Sequence, residues 1–141
     1  MSDRHARYRH RPADPHRRPT DGYRADTPAR FDRLVREALQ TLPRPLLGHL
    51  QQVELRILDV PPAHPDSARG DGPSLATYQT PVRGQRGPGR RPDRLVLYRR
   101  PLELRSRDAH ELRAIVRHVV LREVAHHLGI DDDGIEERGW L

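Results

Sequence analysis

Cysteine is absent from this 141-residue sequence, so it holds no disulfide, no thiolate metal site and no cysteine nucleophile. Lysine is absent too, and all 26 basic residues are arginine. Aromatic residues make up only 4% of the chain, which leaves little for stacking on nucleic-acid bases. No apolar run approaches the roughly 20 residues needed to span a bilayer. The opening "MSDRHARYRHRPADPHRRP" has no apolar centre and does not read as a secretory signal. A cytoplasmic location is the expectation, with no membrane partner.

What is present is charge, proline and glycine. Charged residues reach 33%, hydrophobic residues only 34%, and there are 14 prolines and 10 glycines. The net charge of +6 invites an acidic or nucleic-acid partner. The exclusive use of arginine, beside abundant Pro, Ala, Gly and Asp, reads instead as a composition bias of the coding sequence. Residues 1–26 offer almost nothing to bury and are expected to be a disordered Arg/Pro-rich tail. Tyr8 and Tyr23 are its only aromatics, so nucleic-acid binding through this tail is the weakest function considered. Residues 27–141 are expected to form one domain, with flexible loops at 61–73 and 83–92 and a core of about 100 residues.

Periodicity places the elements. In "TPARFDRLVREALQTL", Thr27 suits an N-cap and Pro28 the first helical position, and Phe31, Leu34, Val35, Ala38, Leu39 and Leu42 recur at helical spacing. Pro43 and Pro45 are expected to end that helix. Alternation predicts a strand over 53–60 that stops at Pro61 and Pro62, a short strand within 75–82 and a further strand over 94–100. The longest periodic segment, 107–129, opens with Asp108 three residues before Glu111, a capping arrangement, and closes at Gly129. Leu112, Ile115, Val116, Val119 and Val120 form one apolar stripe, and Leu121, Val124 and Leu128 a second surface.

The end of that helix, "LREVAHHLGIDDD" (121–133), carries the chemistry. Glu123 falls within the first stripe, where a carboxylate needs a partner or a task. His126 and His127 follow at i+3 and i+4, and the turn at Gly129 delivers Asp131, Asp132 and Asp133. A self-satisfied Glu–His pair and a functional site are equally compatible with these residues alone. The spacing His126, Gly129, Asp132 shifts the balance towards a site. Residues at i and i+4 share a helix face and can grip one metal, and a further ligand can return after a glycine turn.

The sequence from about residue 31 to 140 resembles the minimal zincin-like metallopeptidases, small bacterial proteins with the signature H-E-x-x-H-x-x-G-x-x-D. The stretches that carry the likeness are "FDRLVREALQTLP", "VELRILDVP", "ATYQTPV", "PDRLVLYRRPL" and, most specifically, "VVLREVAHHLGIDDDGIEERGW". The resemblance implies a small α/β (α+β) domain, a short mixed sheet packed on an N-terminal helix and a long active-site helix. It implies zinc as the cofactor, His126 and Asp132 as ligands, Glu123 as the general base of peptide hydrolysis, and a peptide or protein as partner.

The signature's first ligand position holds Arg122. A guanidinium has no lone pair for a metal and a fixed charge that repels one. His118 lies about 12 Å along the helix from His126, His127 points about 100° away, and Asp131, Asp133, Glu136 and Glu137 would need a rearranged turn. Two readings follow. One is zinc-dependent peptide hydrolysis with a degenerate metal site. The other is a catalytically inactive zincin-like binding or scaffold protein without metal, in which the Arg122 charge neutralises Glu123 or Asp132.

Overall fold

The computed structural model describes residues 27–62, 74–81 and 91–141. The tail 1–26 lies outside them, as do nearly all of the two expected loops. The described residues form five helices and one three-stranded mixed sheet, an α+β domain. Among them, no helix is long and apolar enough to cross a membrane.

Helix α1 spans Pro28–Leu39. Thr27 caps it, its hydroxyl accepting the Arg30 N–H at 3.1 Å. Phe31, Leu34, Val35 and Ala38 are buried along one face. Pro43 and Pro45 do more than end this helix. They open α2, Arg44–Leu50, with Pro43 as N-cap and Pro45 in the first turn. A first-turn N–H has no intrahelical partner, so proline loses nothing there.

Strands β1 (Val53–Leu58), β2 (Ala76–Gln79) and β3 (Asp93–Tyr98) are arranged in the order β1-β3-β2. β3 runs parallel to β1, with Val53 opposite Asp93 and Leu58 opposite Tyr98, and antiparallel to β2, with Ala76 opposite Leu97. The central position of β3 explains its unbroken run Leu95, Val96, Leu97 and Tyr98, all buried. The expected extension of this strand to residue 100 does not occur. Arg99–Leu104 is a short helix, α3, and Pro101 sits in its first turns.

Helix α4, Ala109–His127, packs against α1 on one side and β2 on the other. Its N-cap is the expected one, the Asp108 carboxylate accepting the Glu111 N–H at 2.8 Å. Leu112, Val116, Val120, Leu121, Val124 and Ala125 are fully buried, whereas Leu128 is 44% exposed, against expectation. The helix closes in a Schellman turn: Gly129 takes φ +81°, its N–H reaches the His126 carbonyl, and the Ile130 N–H reaches the Ala125 carbonyl at 2.9 Å. Ile130, rather than Leu128, therefore folds back on the core. The chain then enters α5, Asp132–Glu137, capped by Asp131 and anchored by the fully buried Ile135. It closes the same way, with Gly139 at φ +68° and the Trp140 N–H on the Ile135 carbonyl.

Candidate functional site

Two turns of structure assemble the site. Arg122 and His126 are four residues apart on α4 and share a face. The Gly129 turn and the Asp131 cap then aim the first residue of α5, Asp132, back at that face. The Asp132 carboxylate accepts two parallel bonds from Arg122, Nε to Oδ1 at 3.2 Å and Nη2 to Oδ2 at 3.1 Å. His126 Nε2 lies 2.9 Å from the same Oδ1. These contacts, the His126 bond foremost and then Arg122, hold the Asp132 carboxyl below its ordinary range. The three side chains remain between 42% and 59% exposed, so the bridge is screened by water and adds little to stability.

Glu123 stands beside this triad and outside it. No described residue hydrogen-bonds to its half-buried carboxylate. Desolvation raises its pKa, and the charges of His126 and Arg122 only partly offset that. The carboxylate faces a cleft of about 260 Å³ between β2 and α4, whose walls include Ser74, Ala76, His118, Arg122 and His126.

Of the residues singled out from sequence, the structure thus joins Arg122, His126 and Asp132 directly and leaves Glu123 at the cleft wall. The acids weighed as replacement ligands are not drawn in. Asp131 is engaged as the α5 cap, accepting the Gly134 N–H at 2.8 Å. Asp133, Glu136 and Glu137 are exposed.

His127 does point away from His126, into a cluster that sequence reasoning missed. Its Nε2 lies 3.3 Å from Asp93 Oδ2, and its ring stacks on Tyr78 at 4.0 Å between centroids. The Tyr78 hydroxyl donates to Asp93 Oδ2 at 2.7 Å and lies 2.9 Å from His49 Nε2. Burial first, then the Asp93 carboxylate, pushes the phenol well above its ordinary pKa. These four residues come from α2, β2, β3 and α4, so no local pattern announces them.

The donors at the motif do not fit a zinc ion. A catalytic zinc takes three protein ligands. Here only His126 and Asp132 are available, and a guanidinium with no free lone pair spans both carboxylate oxygens of the second.

Comparison with known families matches the chain to the zincin-like metallopeptidase family over residues 50–140. That span runs from the end of α2 through α5 and contains the whole Arg122–His126–Asp132 constellation. No curated protein matches the chain.

Proposed function

The chain belongs to the zincin-like metallopeptidase family, and from that premise we propose that it works as a binding member of it whose motif site holds no metal. The observation that carries this reading is the two-bond contact between Arg122 and Asp132. The guanidinium puts a permanent positive charge against the carboxylate, which is the electrostatic task a cation would otherwise perform. It holds the helix, turn and carboxylate together while supplying no Lewis acid and no site for a coordinated water.

The binding surface follows from the sheet order. β2 is an edge strand among the described residues, and the cleft runs between it and α4. An exposed strand edge presents backbone N–H and C=O groups to an extended segment. Arg122, Glu123 and His126 would meet that segment's side chains. The expected ligand is therefore an extended peptide, taken up in strand conformation and released intact.

One observation favours the hydrolytic reading as a second possibility. Glu123 is half-buried at the cleft wall with its pKa raised, which suits a general base. It would require Arg122 to leave Asp132 and a further donor to complete the ligand set. A hydrolysis assay on a random peptide library separates the two. We expect the natural chain to cleave nothing in a chelator-sensitive manner. Cleavage abolished by both chelator and Glu123→Gln would establish the enzyme reading instead.

A further inference from the structure

We propose that His49, Asp93 and His127 form a binding site for a divalent transition-metal cation of the zinc class, separate from the family motif and on another side of α4. Among the described residues this is where three metal-ligating side chains converge, and their donor atoms all lie within 4.8 Å of one another. Ligands about 2.0–2.1 Å from a tetrahedral ion stand roughly 3.4 Å apart. His127 Nε2 and Asp93 Oδ2 already do so, at 3.3 Å. The His49 donor stands within 4.8 Å of both.

The surroundings suit a cation as well as the donors do. His49 lies in the last turn of α2 and His127 in the last turn of α4, where the negative ends of the helix dipoles favour positive charge. The Tyr78 hydroxyl donates to Asp93, and the Tyr78 ring stacks on His127. Such outer partners orient a carboxylate and an imidazole for ligation. A cleft of about 260 Å³ lined by His49, Gln52, Val53, Arg91, Pro92 and Asp93 opens beside two of the three donors. Two imidazoles and one carboxylate leave a fourth position for water.

The proton inventory states what the cation must displace. The Tyr78 phenol has one proton and gives it to Asp93, so His49 donates its Nε2–H to the phenol oxygen. His127 Nε2 lies 3.3 Å from Asp93 Oδ2 without a hydrogen bond between them. On metal uptake His49 would carry its proton on Nδ1 instead, freeing Nε2 as the ligand.

The location of the site is independent of the motif, but the expected stoichiometry rests on the proposed metal-free motif. The test is a Zn²⁺ titration of the full-length, metal-stripped chain, with Co²⁺ absorption as a second readout. The natural chain is expected to take up one equivalent of zinc. Asp93→Asn, which keeps the shape and the acceptor for Tyr78, is expected to weaken uptake by at least about 100-fold, beyond the effect of losing an outer-shell partner. His49→Gln provides the same test should Asp93→Asn fail to fold, each variant being checked by its thermal transition. His126→Ala is expected to leave uptake unchanged. The proposal is overturned if the natural chain takes up no zinc, or if uptake survives in Asp93→Asn and His49→Gln and is lost in His126→Ala.

Discussion

Arg122 lies across the carboxylate of Asp132, with Nε 3.2 Å from one oxygen and Nη2 3.1 Å from the other. Ten residues separate them in sequence, and the Gly129 turn brings them together. This contact sets a fixed positive charge against a carboxylate at the end of α4, and three consequences can be measured.

The first concerns Asp132 and pH. Its carboxyl is held below its ordinary range in the folded chain. A depressed folded pKa contributes stability that is present above the unfolded value of about 4 and lost as pH falls through the folded value. Asp132→Asn should therefore be less stable than the natural chain at neutral pH. The difference should shrink as the solution is acidified below about pH 4. Urea denaturation across pH 2–7 checks this, and a difference that grows on acidification would contradict it.

Glu123 has the opposite sign. Its folded pKa is raised by desolvation, so its contribution is favourable below the unfolded value and is lost as pH rises through the folded one. Glu123→Gln should gain stability at pH 7, by no more than about 1 kcal/mol because water still reaches the carboxylate. The gain should vanish below about pH 4. A variant less stable than the natural chain at pH 7 would mean that Glu123 has a partner which glutamine cannot replace.

Ile135 tests how the triad is held. It is fully buried and fixes α5, which carries Asp132, to the core. Ile135→Ala should cost about 2–5 kcal/mol. Short of global unfolding, it should also loosen the Asp132 contact, seen as faster amide exchange across residues 130–138. A loss below about 1 kcal/mol would show that α5 docks through other contacts.

Much of this was legible in sequence because it is local. Thr27 and Asp108 cap where their spacing predicts, and Gly129 adopts the left-handed turn that the end of α4 requires. The run in β3 is legible for the same reason. The short helices α2, α3 and α5 were not foreseen. At six or seven residues they are too brief to show a period. Pro45, which reads as a breaker, sits in the first turn of α2, where the missing N–H does no harm. Leu128 belongs to the apolar pattern of α4, yet the Schellman turn hands its role to Ile130. His49, Tyr78 and Asp93 carried no signal, because tertiary packing alone brings them to His127.

The central claim is that Arg122 keeps the motif free of metal, and the direct measurement is zinc per chain in the natural protein and in Arg122→His. The variant restores the third ligand beside His126 and Asp132, so it should hold one equivalent more than the natural chain, and His126→Ala should remove that extra equivalent. The claim is contradicted if the two proteins bind the same amount of zinc and His126→Ala lowers it in the natural chain. In that case the motif would already hold metal with Arg122 in place.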